Sequence, residues 1–357
     1  MKPISGNRKF YRITGVMSGT SMDGLDIAAC EFRLMDHGWN FSIIAAETIS
    51  YPDDLAAKLD HSYNMDATGL IQLDRQYGDF IGNKVANFHK QYDFHPDLVS
   101  SHGHTVFHRP SDGYTFQIGH GANIAARCGI PVAFDFRSSD VAFGGEGAPL
   151  VPFGDHSLFG NFDYCLNLGG FTNISYEQEG IRKAGDICPL NIVSNRIAQL
   201  LGISYDHNGE NGKMGQVIHE LLDDLNKLDF YAKPIPKSLG REYIEEVIWP
   251  MLTKYSSSPR NLLRTWYEHA AMQVGPFLKN GGKVLVTGGG AFNQYFIERL
   301  IVYANSEIVV PDANLVNYKE ALIFAFLGLL RLREEPNCFG SVTRASKNVT
   351  CGMICLP

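Results

Sequence analysis

Apolar, aromatic and β-branched residues, interrupted by single polar residues, dominate three extended segments near the start of the chain, residues 9–14, 25–32 and 39–50. Such runs are typical of β-strands, and the short connections between these segments favour a three-stranded meander. Two helices are expected next, over residues 53–63 and 69–91. Along the second helix, apolar side chains recur at helical spacing on one stripe, namely Leu70, Leu73, Tyr77, Phe80, Ile81 and Val85.

The pattern predicts a strand that begins at residues 96–100 and ends within residues 101–105, a helix over 118–128 and a buried strand over 130–136. The order then begins again with a strand at 164–168, a glycine turn, and strands at 174–177 and 181–184. The remaining segments alternate between apolar helical stripes and short buried runs. They predict helices at 191–202, 214–228, 241–255, 261–278, 294–302 and 318–333, with strands at 283–287 and 307–310.

Each half of the chain therefore opens with a strand, a glycine turn and a returning strand, about 150 residues apart. Two such halves are typical of an α/β chain with the two-domain actin-like ATPase (ribonuclease H-like) fold, which has mixed sheets flanked by helices and a central cleft. We expect the first lobe at 1–135, to which residues 342–357 could return. The second lobe, with a nucleotide-binding loop, is expected at 136–341.

Composition, charge and cysteine spacing argue against several classes of function. The 357 residues carry a net charge of −7 without a stripe of basic side chains, so we expect no nucleic-acid partner. No apolar run is long enough to span a membrane, and the N-terminal residues lack the apolar core of a secretory signal. The seven cysteines form no Cys-x-x-Cys pair and are interpreted as reduced thiols of a cytoplasmic protein. The spacing of His102, His104 and His108 is weak evidence for zinc.

The first glycine turn, residues 15–26 (GVMSGTSMDGLD), combines small residues with two carboxylates. Backbone N–H groups in such a turn can bind a phosphate, and carboxylates can hold the accompanying Mg²⁺. Asp23 and Asp26 are the candidate metal ligands. The alternative is a hairpin in which Asp23 only shapes the turn.

Eight motifs in this chain resemble, in the same order, those of the anhydro-N-acetylmuramic acid kinase family. Besides residues 15–26, they are SHGHTVFH (101–108), the long segment QIGHGANIAARCGIPVAFDFRSSDVAFGGEGAPLVP (117–152), NLGGFTNIS (167–175), YDHNGENGKMG (205–215), PKSLGREY (236–243), VTGGGAFN (286–293) and KEALIFAFL (319–327). The resemblance implies an ATP-dependent, Mg²⁺-using kinase that opens 1,6-anhydro-N-acetylmuramic acid with water and phosphorylates O6. The product is N-acetylmuramic acid 6-phosphate, in cell-wall recycling. It also implies an amino-sugar substrate and a homodimer.

The resemblance assigns catalytic roles to two acids. Asp186 matches the aspartate that serves as the base for the attacking water, although its position before a helix also fits an N-cap. Glu320 matches a second active-site acid that would orient the water or a sugar hydroxyl. The alternative for Glu320 is that it complements the positive end of a helix.

The remaining site residues are likewise implied by the resemblance. Sugar contacts are expected from Ser18, His102, Arg137 and Asp140, although an internal ion pair between Arg137 and Asp140 is the alternative. Phosphates and nucleotide are expected at the glycine-rich turns. The residues concerned are Gly19, Thr20, Ser21, Met22, Asp23, Gly24, Leu25, Asp26, Gly169, Gly170, Thr172, Asn173, Gly288, Gly289 and Gly290.

Two departures from the family pattern stand near these residues. Ile187 and Cys188 follow Asp186 where the family has Thr and Gly, which predicts an alkylation-sensitive thiol if the loop is exposed. His104 and His120 stand in place of Gln and Asp. Two further functions therefore remain open: a kinase of another amino sugar, and a nucleotide- or muropeptide-binding homologue without catalysis.

Overall fold

The computed structural model describes residues 8–19, 24–255 and 257–357. Its strands, in chain order, are β1 (Phe10–Ser18), β2 (Leu25–Met35), β3 (Gly38–Ile49), β4 (Leu98–Ser101), β5 (His104–Arg109), β6 (Tyr114–Ile118), β7 (Val132–Phe134), β8 (Tyr164–Leu168), β9 (Phe171–Gln178), β10 (Ile181–Pro189), β11 (Lys283–Thr287), β12 (Glu307–Val309) and β13 (Met353–Cys355). The predicted positions Thr20, Ser21, Met22 and Asp23 lie outside the described residues.

The helices include four short ones that were not predicted, at residues 138–142, 151–158, 229–232 and 340–343, and otherwise overlap the predicted helices. They are α1 (Asp53–Asp60), α2 (Ala67–Gln91), α3 (Gly121–Cys128), α4 (Ser138–Ala142), α5 (Val151–Leu158), α6 (Asn191–Gln199), α7 (Glu210–Met214), α8 (His219–Asn226), α9 (Asp229–Ala232), α10 (Arg241–Tyr243), α11 (Trp249–Lys254), α12 (Pro259–Val274), α13 (Gln294–Tyr303), α14 (Ala313–Leu332) and α15 (Gly340–Thr343). A π-helical turn, Ile244–Ile248, joins α10 to α11.

Unit 1 comprises residues Met1–Leu158 and Tyr318–Pro357. Its six-stranded sheet has the order β13-β7-β4-β1-β2-β3, in which β1, β4 and β7 are parallel and the other pairs are antiparallel. The stripe predicted on the second helix is largely correct, because Leu73, Tyr77, Ile81 and Val85 are buried in the core of this unit. Burial of this apolar face is what holds α2 in place.

Unit 2 comprises Phe159–Asn317. Its five-stranded sheet has the order β10-β9-β8-β11-β12, with an antiparallel meander β8-β9-β10 and parallel β8, β11 and β12. Helix α12 lies in its core, where Leu263, Trp266 and Ala270 are fully buried. The five strands repeat the order β3-β2-β1-β4-β7 of unit 1. The predicted doubling and the actin-like α/β fold class are therefore confirmed in topology.

The unit boundaries differ from the predicted lobe boundaries at 135 and 341. Residues 136–158 and 318–341 belong to unit 1. Residues of α14 pack directly on the sheet of this unit, and α5 contacts β3 of the same sheet. A Cβ atom added at Gly15 of β1 would lie 1.9 Å from the carbonyl oxygen of Ala321, and one at Gly328 would lie 2.4 Å from Ser100 Oγ. Such long-range contacts leave no signal in the local hydrophobic pattern.

The hairpin β5–β6 was not predicted. Its strands pair antiparallel from His104 with Ile118 to Arg109 with Tyr114, and the turn contains Pro110 and Gly113 at a φ of 81°. This turn chemistry was readable in the sequence. Among the described residues, no helix is long and apolar enough to cross a membrane.

His269 of α12 is expected to make stability fall in acid. Its side chain is fully buried beside Tyr231 and Trp266, Nδ1 lies 2.7 Å from Asn226 Oδ1, and desolvation lowers the pKa of His269 to about 3. Below the ordinary pKa of 6.5 the unfolded chain binds a proton that the folded chain does not, so stability present above pH 6.5 is lost as the pH falls.

From pH 6.5 to pH 5 this linkage lowers the free energy of unfolding by about 2 kcal/mol, because each of about 1.5 pH units contributes about 1.36 kcal/mol. Urea unfolding of wild type and His269→Gln at both pH values measures it. The variant should lose about 2 kcal/mol less than wild type over the interval. His219→Gln, at an exposed position of the same unit, should match the wild-type loss. If His269→Gln and wild type lost the same free energy of unfolding between pH 6.5 and pH 5, His269 would not be the source of the acid sensitivity.

Candidate active site

Ser18 ends β1 in unit 1, and its hydroxyl is oriented by aromatic neighbours. Tyr51 donates a hydrogen bond of 2.8 Å to Ser18 Oγ, and the Tyr51 and Tyr77 hydroxyls are 3.0 Å apart. Because Ser18 Oγ accepts from Tyr51, its own proton is directed to His104 Nδ1 at 3.3 Å. Burial lowers the pKa of His104, which keeps the ring neutral and able to accept. His104, unusual for the family pattern, thus positions Ser18.

The first glycine turn is described only at its ends. Gly24 has a φ of 149°, and a Cβ atom there would lie 2.8 Å from the carbonyl oxygen of Ile49, so this glycine is required by packing on β3. Leu25 is fully buried in the core of unit 1 and pairs with Ser18 across β1 and β2. Its side chain therefore cannot contact a nucleotide as predicted. Gly19 is half-buried and remains a candidate.

Arg137 and His102 form one cluster. Arg137 donates to His102 Nε2 from Nε at 3.1 Å and from Nη2 at 2.8 Å, and to the carbonyl oxygen of Gly147 from Nη1 at 2.8 Å. His102 Nδ1 lies 2.9 Å from its neighbour's carbonyl at Gly103, so Nδ1 carries the proton. Burial lowers the pKa of Arg137 to about 10, which leaves it charged at neutral pH. One N–H on each Nη nitrogen has no acceptor among the described residues.

Asp140 does not present its carboxylate to a substrate. It is fully buried: Oδ2 accepts from the amide of Gly147 at 2.8 Å, and Oδ1 accepts from the hydroxyl of Thr343 at 2.8 Å and from the thiol of Cys338 at 3.1 Å. The expected contact between Asp140 and the sugar is therefore replaced by a structural role. Arg137 makes no hydrogen bond to Asp140, so the alternative of an internal ion pair is not realised either.

Glu320 lies in the middle of α14, away from its first turn, so it does not complement a helix N-terminus. Burial raises the pKa of Glu320. The negative charges of Asp26 and Asp155 add to this effect, and the cations Lys319 and Arg137 oppose it. This half-buried acid therefore lies among charges of both signs in unit 1.

The pair Lys319–Asp155 was missed by the sequence analysis. Lys319 Nζ lies 2.7 Å from Asp155 Oδ1, and both side chains are 5% exposed. A charge buried to this degree requires a partner, because an uncompensated ion in the interior is strongly destabilising. The two residues are 164 positions apart, so the sequence could have indicated them only as a Lys beside Glu320 and an Asp three residues after the long segment 117–152.

In unit 2, Asp186 lies on β10 at a β-bulge and not at a helix cap. Its register neighbour on β9 is Asn173, whose neighbour on β8 is Asn167. Residues directly opposite in adjacent strands point to the same face, so these three half-buried polar side chains form a line across the sheet, the Asp186 row. The predicted contact residue Asn173 is in the row, and Asn167 is an addition that its position two residues before the glycine turn could have indicated.

One carboxylate oxygen of Asp186 is anchored. Oδ2 accepts a 2.8 Å hydrogen bond from the amide of Leu239, and the amide of Asp186 donates to the carbonyl of Lys237 at 2.8 Å. Gly185 permits this approach, since a Cβ atom there would lie 3.1 Å from Lys237. Burial raises the pKa of Asp186, and the Leu239 amide partly offsets this effect. No hydrogen bond to Oδ1 is formed by the described residues, which leaves that oxygen able to accept a proton.

Cys188, which stands where the family has Gly, packs in the hydrophobic core of unit 2. Cys188 is fully buried and pairs in register with Thr172, which is also fully buried. Burial raises the pKa of the Cys188 thiol to about 12, so the thiolate that reacts with alkylating agents does not form at neutral pH. The alkylation sensitivity was predicted only for an exposed loop, and the buried Cys188 does not meet this condition. Thr172 likewise cannot reach phosphates from its buried position.

The glycines of unit 2 separate into two groups. Gly288 has a φ of 80°, and a Cβ atom at Gly290 would lie 2.8 Å from Leu168 Cβ, so the fold itself requires both. Gly170 and Gly289 are exposed, and an added Cβ would meet nothing nearer than 3.8 Å, at Ile192 and Asn191 respectively. Gly169 is half-buried beside Gly170. Neither φ nor packing requires glycine at 170 and 289, so these two positions stay candidates for close approach of a ligand.

Gly170→Ala and Gly289→Ala are expected to keep the wild-type melting temperature but raise the KM for ATP about tenfold or more, which corresponds to about 1.4 kcal/mol. Gly290→Ala, by contrast, should lower the melting temperature. Thermal denaturation and ATP titration of the three variants measure both effects. An unchanged KM in Gly170→Ala and Gly289→Ala would remove the two turns from the nucleotide site.

Known proteins are similar to this chain over nearly its whole length. The family model described as Anhydro-N-acetylmuramic acid kinase matches residues 11–357. Proteins named anhydro-N-acetylmuramic acid kinase are similar to this chain at 33% identity in Aliivibrio fischeri, covering 95% of this chain and 98% of that protein. The protein of this name in Pasteurella multocida is 34% identical, covering 95% of this chain and 95% of that protein. The one in Vibrio cholerae is also 34% identical, covering 96% of this chain and 98% of that protein. A solved structure, the activator of 2-hydroxyisocaproyl-CoA dehydratase from Clostridium difficile with bound ADPNP, is 13% identical with a TM-score of 0.42, covering 90% of this chain and 96% of that chain.

Proposed function

The chain belongs to the anhydro-N-acetylmuramic acid kinase family, and we propose that it converts 1,6-anhydro-N-acetylmuramic acid, ATP and water to N-acetylmuramic acid 6-phosphate and ADP. The observation that carries this proposal is the Asp186 row. A half-buried carboxylate with one anchored oxygen, one oxygen without a partner among the described residues, and a raised pKa is suited to accept a proton.

In the proposed reaction, Asp186 takes a proton from water as the water oxygen bonds to C1 of the sugar. The bond between C1 and the bridging oxygen breaks, and its electron pair stays on O6. O6 then bonds to the γ-phosphorus of ATP while the bond to the β-γ bridging oxygen breaks, and the proton on Asp186 passes to solvent. Asn167 and Asn173 are suited to hold the water or a phosphate oxygen, because an amide offers both donors and an acceptor.

Unit 1 carries groups suited to the sugar and to a metal ion. The two N–H groups that Arg137 retains match a carboxylate such as that of the lactyl substituent. Asp26 and Glu320 fit a divalent cation, since they are hard oxygen donors close enough for the charge of Asp26 to raise the pKa of Glu320. Mg²⁺ bound there would neutralise charge on the transferred phosphoryl group. The Thr48 hydroxyl, which donates to Asp26 Oδ1 at 2.6 Å, holds that carboxylate in place.

The test of the function is ATP consumption with 1,6-anhydro-N-acetylmuramic acid, using N-acetylglucosamine as the control acceptor. In water enriched in ¹⁸O, the proposed reaction places one solvent oxygen at C1, whereas simple phosphorylation of another amino sugar places none. Equal turnover of both acceptors would favour the alternative amino-sugar kinase. Binding of ATP without turnover of either sugar would favour the non-catalytic homologue.

The homodimer implied by the family stays a prediction for this chain. Light scattering coupled to size-exclusion chromatography measures it, with about twice the chain mass of 39.6 kDa expected. A mass equal to one chain at micromolar concentration would contradict it.

A further inference from the structure

A second cluster of ligand-type side chains lies in unit 1, apart from the groups used above. One ligand atom each of Asp140, Cys338 and Cys351 lies within 4.8 Å of the other two, and all three residues are buried. The hydroxyl of Thr343 adds a further oxygen, 2.8 Å from Asp140 Oδ1 and 3.9 Å from Cys338 Sγ. Two sulfur atoms and two oxygen atoms therefore lie close together in the interior.

A tetrahedral metal ion would require only a small rearrangement of these ligand atoms. With Zn–S near 2.3 Å and Zn–O near 2.0–2.2 Å, ligand atoms of a tetrahedral zinc site lie about 3.3–3.8 Å apart. Without an ion, Asp140 Oδ1 lies at hydrogen-bond distances of 3.1 Å from Cys338 Sγ and 2.8 Å from Thr343 Oγ1, and Cys338 Sγ lies 3.9 Å from Thr343 Oγ1. These three separations lie within about 0.5 Å of the tetrahedral range, so the ligand atoms would shift by up to that amount when the ion binds. We propose that Asp140, Cys338 and Cys351, with Thr343 as a neutral fourth donor, form a closed structural site for a zinc ion.

The ligands are held in position before any ion binds. Asn337 is fully buried, donates to the carbonyls of Leu327 at 2.9 Å and Cys351 at 3.0 Å, and accepts from the amide of Cys351 at 2.6 Å. Since Asn337 precedes Cys338, this double contact fixes the two cysteines relative to each other. Such outer contacts orient the ligands of metal sites.

The charge of the interior is conserved when the ion binds. Without the ion the cluster holds one carboxylate and two thiols, with a net charge of −1. One Zn²⁺ displaces the two thiol protons to solvent, and the sum of Zn²⁺, two thiolates and the carboxylate is again −1. The ion therefore adds bonds to buried atoms without adding an uncompensated charge.

The site would brace the C-terminal segment against α4. Asp140 also accepts from the amide of Gly147 through its other oxygen, and the amide of Glu146 donates to the carbonyl of Thr343 at 2.7 Å. A disulfide between the two cysteines is the competing chemistry. It requires an oxidant and an accessible thiolate, whereas Cys338 and Cys351 are each 1% exposed and Cys338 donates to Asp140.

Metal analysis of the purified full-length protein tests the proposal. Protein that was unfolded in denaturant with a chelator and refolded with zinc should retain one zinc per chain after dialysis. Cobalt(II) in its place should give thiolate-to-metal charge-transfer absorption and the intense visible bands of a tetrahedral ion. Both signals should vanish in Cys338→Ala/Cys351→Ala and persist in the matched variant Cys30→Ala/Cys165→Ala, which also removes two buried thiols.

Two measurements that do not need the double variant keep the test valid if that variant does not fold. A mercurial that titrates thiols should release one zinc per chain to a chromogenic chelator, and Asp140→Asn should bind zinc at least tenfold more weakly. Three results would each overturn the proposal: refolded wild type that retains no zinc, zinc retained by Cys338→Ala/Cys351→Ala, or a chain mass lower by two hydrogen atoms because a disulfide has formed.

Discussion

The Asp186→Asn variant is expected to lose between about 100-fold and 10,000-fold in kcat, because a positioned general base contributes a factor of this size. Asparagine keeps the shape of the side chain and the hydrogen bond that its oxygen accepts from the amide of Leu239. The folded structure and the affinity for the sugar should therefore change little. The measurement is single-turnover formation of N-acetylmuramic acid 6-phosphate at saturating ATP.

The pH profile separates catalysis by Asp186 from a structural effect. The base must be ionised, and burial raises the pKa of Asp186, so kcat/KM should fall as the pH drops through a value above the ordinary one of 3.8. Residual activity of Asp186→Asn should lack this acidic limb. Asp223→Asn, at an exposed carboxylate of unit 2, should keep both the limb and the rate. Undiminished turnover in Asp186→Asn would place the base elsewhere.

The Arg137→Lys variant is expected to lose about 100-fold in kcat/KM, corresponding to about 3 kcal/mol, for a sugar that carries the lactyl carboxylate. A lysine cannot reproduce the contacts of the guanidinium with His102 and Gly147 while binding a carboxylate in two places. Steady-state kinetics with 1,6-anhydro-N-acetylmuramic acid measure the loss.

The neutral analogue 1,6-anhydro-N-acetylglucosamine makes this prediction specific, since it lacks the lactyl carboxylate. Its turnover by wild type and by Arg137→Lys should differ by less than about threefold, because no charge-assisted contact is lost. Arg109→Lys, at an exposed arginine of the same unit, serves as the control. Equal losses for the two sugars would show that Arg137 acts on something other than the carboxylate.

The candidate site was only partly accessible to sequence reasoning. Asp186, Arg137 and Gly170 were identified from motifs, and the structure gives each an environment suited to a ligand. Asp140, Leu25 and Thr172 came from the same motifs, yet all three are fully buried. A motif carries both ligand-binding residues and residues that hold the motif in shape, and burial distinguishes the two.

The sequence by itself determined the repeated order of strands and helices, the strand–glycine turn–strand at the start of each half, and the family. These features depend on periodicity and short-range spacing, which are local. The tertiary structure alone decided the packing of α14 on the sheet of unit 1, the buried pair Lys319–Asp155, and the meeting of Asp140 with Cys338 and Cys351. Such contacts join positions far apart in the chain, and only the closing of the core brings their side chains together.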